Sequence, residues 1–218
     1  MAGTIICYGD SNTYGYDPCS FLGGRYPEEA RWPEILDAET EWTVRNCGLN
    51  GRCVPYFLPE IEHVIHRLPQ WAAENAPVWL WVMLGTNDLL HNGQMTAESV
   101  TERMERFLKK LMDCEEIAGS VPSEEAVNDG SGEATAEGKI RLRLIAPVHL
   151  QRGMWVELDE QCRESEKLDG CYRELAKQLG IAFTCAGDWE IPLLYDGVHF
   201  SEEGNRKFAD CAKRECIG

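Results

Sequence analysis

The chain has 218 residues, 44% hydrophobic and 27% charged, with a formal net charge of −16. This length and composition suit a single soluble domain, residues 1–218, with a core of its own. The acidity argues against nucleic acid and anionic membranes as partners, because phosphate recognition needs a basic face.

No apolar stretch reaches the ~18 residues of a membrane-spanning helix. The first residues carry no basic segment followed by a long apolar one, so a cytoplasmic location is expected. The ten cysteines include no C-x-x-C pair. They are expected to be reduced thiols, with no structural metal and no cofactor.

In chain order, residues 4–9 form the first strand-like run and break at Gly9-Asp10-Ser11. Residues 31–39 carry Trp32, Ile35 and Leu36 at helical spacing, and residues 42–47 alternate as a second strand. Residues 59–68 repeat Ile61, Val64, Ile65 and Leu68 on one helical face. Residues 78–84 are continuously apolar, as expected for a strand covered on both faces. A helix over 96–112 repeats Val100, Met104, Phe107, Leu108 and Leu111. Residues 140–146 and 181–185 read as strands four and five, and residues 159–179 and 201–216 as helices. Residue 180, a glycine, suits a helix C-terminus.

Between the third helix and the fourth strand, residues 113–138 hold eight carboxylates and no lysine or arginine. The Gly- and Ser-rich part at about 116–138 is expected to be a mobile acidic loop rather than a second domain. Strands alternating with helices predict an α/β fold: a five-stranded parallel sheet between two helical layers. Ligand sites in such sheets form at the carboxyl ends of the strands.

Those ends carry unusual residues: Gly9-Asp10-Ser11-Asn12 after strand one, Gly48-Leu49-Asn50-Gly51-Arg52 after strand two, and Gly85-Thr86-Asn87-Asp88 after strand three. Asp196-Gly197-Val198-His199 precedes the last helix. A serine hydroxyl is a poor nucleophile until a base takes its proton. His199 is a candidate base for Ser11, and Asp196 is placed to fix its tautomer. The Ser11 and Gly51 N–H groups and the Asn87 amide are candidate oxyanion donors.

This set resembles the SGNH (GDSL-type) hydrolase superfamily, matching its four blocks in order: Gly9-Asp10-Ser11, Gly51, Gly85-Thr86-Asn87-Asp88 and Asp196-x-x-His199. Asn12 departs from the leucine of the name-giving motif and is expected to shape the acyl pocket. The stretch from Gly9 to Tyr16, with Arg25-Tyr26 and Arg31-Trp32-Pro33, looks like the arylesterase/acyltransferase branch. The resemblance implies a flavodoxin-like three-layer sandwich and a serine esterase acting on short-chain acyl esters through an acyl-enzyme. It also implies a small-molecule ester partner and no metal, and leaves acyl transfer to alcohols and a homo-oligomer open.

Plainer readings stand beside these. Ser11 alone reads as a helix cap. Asp10 and Asp88 read as turn organisers. His63 and His66 lie three apart, a spacing that suits a metal, but no third ligand completes a recognisable site. His91 reads as surface. His149 is a candidate substrate contact or a plain loop residue. Tyr14 and Tyr16 are candidate pocket walls. Arg52 either reaches an anionic or sugar substrate or makes a surface ion pair. No G-x-S-x-G elbow occurs, which argues against the α/β-hydrolase fold. A flavin- or phosphate-binding module is the alternative from another class, since a Ser/Thr-rich loop after strand one can cradle phosphate.

Overall fold

Continuous apolar runs fold as strands that are covered on both faces, and here they build one parallel sheet. The computed structural model describes residues 2–21, 24–72, 77–91, 95–117 and 140–217. The strands are β1 (Gly3–Gly9), β2 (Trp42–Asn46), β3 (Val78–Met83), β4 (Ile140–Ala146) and β5 (Ala182–Cys185). All pair in parallel, in the order β2-β1-β3-β4-β5. The order reverses at β1, so the crevice between the ends of β1 and β3 is the topological switch point where ligands bind in such sheets.

Strand side chains alternate between two cores. Ile6 and Tyr8 of β1 and Leu80 and Val82 of β3 pack under α3 (Leu58–Ile65), α4 (Leu68–Ala72), α5 (Thr86–His91), α6 (Ala97–Met112) and α7 (Asp159–Leu179). Ile5, Cys7, Trp81 and Met83 face the other way, against α2 (Trp32–Glu39) and α8 (Glu202–Ala212). Trp32, Trp81, Tyr172, Phe107, Phe200 and Phe208 are fully buried. Each such side chain contributes about 1.5–3 kcal/mol of hydrophobic stabilisation.

The expected three-layer α/β/α sandwich with five parallel strands is the fold observed. The helix expected over 59–68 is split into α3 and α4 by a turn at residues 66–67. Pro69 explains the split, because it has no N–H to donate back to Ile65. The last helix ends at Ala212 and widens into a π turn, Lys213–Ile217. No described helix is long and apolar enough to cross a membrane. The acidic loop expected at about 116–138 lies, from residue 118 on, outside the described residues.

Candidate active site

The chain leaves β1 through Asp10 and at once turns into α1 (Ser11–Tyr14), a single helical turn. Asp10 caps it, its carboxylate accepting from the Asn12 N–H at 3.0 Å. The plain reading of Ser11 as a cap therefore fails: Asp10 does that work, and Ser11 is the first helical residue. Its hydroxyl is free of capping, and its N–H, at the first helical position, has no intrahelical acceptor.

The Ser11 hydroxyl instead lies 3.0 Å from His199 Nε2, across 188 residues of sequence. His199 Nδ1 is 2.6 Å from Asp196 Oδ2. The other Asp196 oxygen accepts the backbone N–H groups of Val198 and His199 at 2.9 and 3.0 Å. Burial acts to raise the Asp196 pKa, but the hydrogen bonds from the His199 ring and from both backbone amides outweigh it and hold it below its ordinary value. An ionised Asp196 keeps the proton of the neutral imidazole on Nδ1 and leaves Nε2 as an acceptor facing Ser11. Burial pushes the fully buried Asp10 carboxyl up to about 6.

Asn87 sits in the first turn of α5, straight after β3. Its amide donates to Arg52 O at 3.1 Å, which sets it beside the loop that carries Gly51. That loop is anchored: Leu49 N–H donates to Gly9 O at 3.1 Å, and Asp88 accepts the Val54 N–H at 2.9 Å while pairing with Arg103 at 3.1 Å. Gly51 has φ +71°, a left-handed conformation that favours glycine, and a β-carbon there would meet nothing within 4 Å. Among the described residues its N–H makes no backbone hydrogen bond. Asp88 and Asp10 thus serve structure, as expected.

The four residues expected to contact substrate all have partners within the fold. The Asn12 amide is engaged on both sides: Nδ2 donates to Val198 O and Oδ1 accepts from Phe200 N, both at 3.0 Å. Arg52 is consumed between β1 and β2, donating to Gly9 O at 2.7 Å and Cys47 O at 2.5 Å with its guanidinium over the Tyr8 ring. Tyr14 lies under the Arg25 guanidinium. His149 Nε2 is turned to Asp169 of α7, 2.6 Å away.

The aromatic rings against His199 are Tyr16, at 4.8 Å between centroids, and Trp155, edge-on at 4.9 Å. Tyr16 arrives there because α1 ends at left-handed Gly15 and the Tyr16 N–H folds back to Ser11 O at 3.0 Å. Trp155 was not expected from the sequence. It lies in the loop after β4, which packs onto the Asp196 turn through Gln151 N–H to Gly197 O and Trp155 N–H to Asp196 O, each 3.0 Å. Gly153 permits this approach, since a β-carbon there would fall 2.4 Å from the Asp196 carbonyl carbon. Trp155 remains 47% exposed, so its ring is available beside the imidazole. His63, His66 and His91 are exposed, and His91 Nδ1 lies 3.8 Å from Cys53 Sγ.

The crevice thus joins a hydroxyl, an imidazole hydrogen-bonded to a carboxylate, and hydrogen-bond donors from the ends of β1, β2 and β3. Such a set performs acyl transfer through a covalent intermediate. The phosphate-cradle alternative leaves the Asp196–His199–Ser11 chain without a task.

Solved structures share the fold. Est24, a carbohydrate acetylesterase from Sinorhizobium meliloti, superposes with a TM-score of 0.71 at 24% identity, covering 97% of each chain. The M. smegmatis aryl esterase gives 0.72 at 21% identity, covering 98% of this chain and 97% of that one. A member of the lipolytic protein G-D-S-L family from Veillonella parvula gives 0.66 at 20% identity, covering 98% and 97%. A comparison with curated protein sequences found no match. The sequence matches the family described as GDSL-like Lipase/Acylhydrolase over residues 7–207, which includes all four blocks. The chain belongs to that GDSL-like family of acylhydrolases and is a carboxylic ester hydrolase.

Proposed function

We propose that the protein is a serine esterase that cleaves short-chain, acetyl-type esters of aryl or sugar alcohols. Ser11 Oγ attacks the ester carbonyl while His199 Nε2 takes its proton. The developing oxyanion is received by the Ser11 and Gly51 N–H groups and the Asn87 amide. One such donor is worth about 3–4 kcal/mol of transition-state stabilisation in hydrolases. His199 then returns the proton to the departing alcohol, and water, activated by the same imidazole, releases the acid. Asp196 orients His199 and offsets its charge throughout. An alcohol in place of water gives acyl transfer by the same steps.

The observation that supports this most is the unbroken contact from Asp196 Oδ2 through His199 to Ser11 Oγ, at 2.6 and 3.0 Å. The alcohol half of the substrate leaves from the His199 side, where Trp155 and Tyr16 flank the imidazole. Aromatic faces there favour planar aryl alcohols and the apolar faces of sugars over small alkyl alcohols. The names of the structural neighbours, an aryl esterase and a carbohydrate acetylesterase, agree with this choice.

The test is a panel of p-nitrophenyl esters of increasing acyl length together with acetylated sugars, each with wild type and Ser11→Ala. Acetyl esters should be the best substrates, and Ser11→Ala should lose about 10⁴-fold or more. Equal turnover by a folded Ser11→Ala protein would reject the assignment.

A further inference from the structure

Beneath the catalytic crevice, the half-buried carboxylate of Glu34 gathers donors from three stretches of chain. It sits in the first turn of α2, where an acidic side chain suits the positive end of the helix. Its Oε1 accepts from Arg31 Nη1 at 2.8 Å and from Arg25 Nη2 at 3.3 Å. Asn46 Nδ2, at the end of β2, lies 3.2 Å from Oε1 and 3.1 Å from Oε2. An ionised carboxylate accepts on both oxygens and donates nothing, so it serves all three partners at once.

Two of these partners lead to the catalytic elements. Arg25 Nε donates to Tyr14 O at 2.6 Å, at the end of the α1 turn that begins with Ser11. Asn46 Oδ1 accepts the Gly48 N–H at 2.9 Å, at the head of the loop that carries Gly51. That loop is closed by the Arg52 N–H to Leu49 O at 3.2 Å, and Arg52 O receives the Asn87 amide. Gly48 itself lies against α1: a β-carbon there would fall 2.1 Å from Tyr14 N and 2.6 Å from Tyr14 Cα. The Ser11 turn and the Gly51 loop thus meet backbone to backbone, and Glu34 is joined to each through one side chain.

We propose that Glu34 is a positioning residue of the ester reaction, fixing the Ser11 turn against the Gly51 loop through Arg25 and Asn46. The inference rests on the serine-esterase reading of the crevice and adds what sets the nucleophile against its oxyanion donors. Arg25 and Arg31 share the carboxylate, so its loss leaves two like charges together and loosens Arg25 from Tyr14 O. Asn46 loses at the same time the acceptor that fixes its amide, which frees the Gly48 end of the loop. A nucleophile and donors displaced by a fraction of an ångström bind the ester as before but meet the tetrahedral oxyanion poorly.

The experiment is hydrolysis of p-nitrophenyl acetate by the full chain, with inhibition by phenylboronic acid, whose tetrahedral adduct on Ser11 needs the same donors. Glu34→Ala should lower kcat about 10- to 100-fold with KM nearly unchanged, and should weaken the boronic acid by a similar factor. Glu34→Gln keeps the volume but sets an amide N–H against the Asn46 N–H, donor facing donor, and should lower kcat about tenfold. Adding Asn46→Asp removes that conflict, because the introduced carboxylate accepts from both the introduced amide and the Gly48 N–H. Most of the lost kcat should then return, a recovery that a merely stabilising role does not predict.

Circular dichroism checks folding. Should Glu34→Ala fail to fold, Glu34→Gln with and without Asn46→Asp carries the test. Unchanged kcat in the folded variants, a rise in KM that matches the fall in kcat, or no recovery on adding Asn46→Asp would overturn the proposal. None of these outcomes touches the esterase reading, which wild-type turnover by Ser11→Ala would overturn together with the role of Glu34.

Discussion

Asn12 and Phe200 are joined by a hydrogen bond of 3.0 Å from the Phe200 N–H to the Asn12 amide oxygen, while the Asn12 Nδ2 holds Val198 O at the same distance. One side chain next to Ser11 thus grips the backbone on both sides of His199. The Asn12 carbonyl in turn accepts from the buried Trp32 indole at 3.0 Å. Three segments distant in sequence are fixed at one residue, and the Ser11–His199 distance depends on it. Asn12→Ala leaves a buried N–H and a buried carbonyl unpaired. Losses of about 1–3 kcal/mol per orphaned group are typical. A lower Tm is expected, together with a fall in kcat larger than any rise in KM. Asn12→Leu should behave alike, since leucine restores neither bond. Urea unfolding and steady-state kinetics on one acetyl ester check both variants.

Asn87 carries a different burden. Its amide is anchored to Arg52 O on one side, and Gly51 lies in the same loop. Asn87→Ala should lower kcat by about 10²–10³-fold with a small effect on KM, because the oxyanion exists only beyond the ground state. A comparable change in both constants would assign Asn87 to substrate binding instead.

Trp155 is expected to choose between alcohols. Trp155→Ala should lower kcat/KM for aryl acetates roughly five- to tenfold, in line with the ~1 kcal/mol of an aromatic contact, and should change ethyl acetate little. Competition between the two esters in one reaction reads this ratio directly. Equal losses on both would place Trp155 in support of the Asp196 turn rather than beside the substrate.

Asp10 gives a pH signature in stability. Its folded pKa is raised from 3.8 to about 6 by burial. A carboxyl with a raised folded pKa contributes stability that is full below its unfolded pKa and is lost as pH rises through the folded one. Wild type should therefore lose stability relative to Asp10→Asn between pH 3.8 and about 6, by on the order of 3 kcal/mol at the plateau. Asp196, whose pKa is lowered, acts in the opposite sense, but it is common to both proteins and cancels in the difference. Urea midpoints of the two proteins across this range measure it; parallel curves would show that Asp10 does not titrate there.

Much of this architecture is written in local patterns. β3 and β4 are continuous or alternating apolar runs, and α7 keeps its expected bounds, Asp159–Leu179, because helical spacing and Gly180 mark both length and end. The four blocks that meet in the crevice were legible because each follows a strand or precedes a helix. The short α1 and α5 were not, since four to six residues carry no periodicity. The work of Asn12 was hidden because its partners lie 186 and 188 residues away. Trp155, an exposed aromatic in an irregular loop, gives no pattern at all. Its place beside His199 arises only when that loop folds onto the Asp196 turn. Arg52 and His149 read as candidate substrate contacts in sequence, and only the packed chain supplies Gly9 O, Cys47 O and Asp169 as their partners.

The central claim is that Ser11 carries the acyl group between two half-reactions. Rapid acid quench of wild type mixed with excess p-nitrophenyl acetate, followed by peptide mass spectrometry, tests it most directly. One acetyl group on the peptide that contains Ser11, formed before steady state and missing from Ser11→Ala, is the predicted result. Turnover without any acylated intermediate, or an acetyl group on another residue that forms and decays at the rate of turnover, would contradict the account.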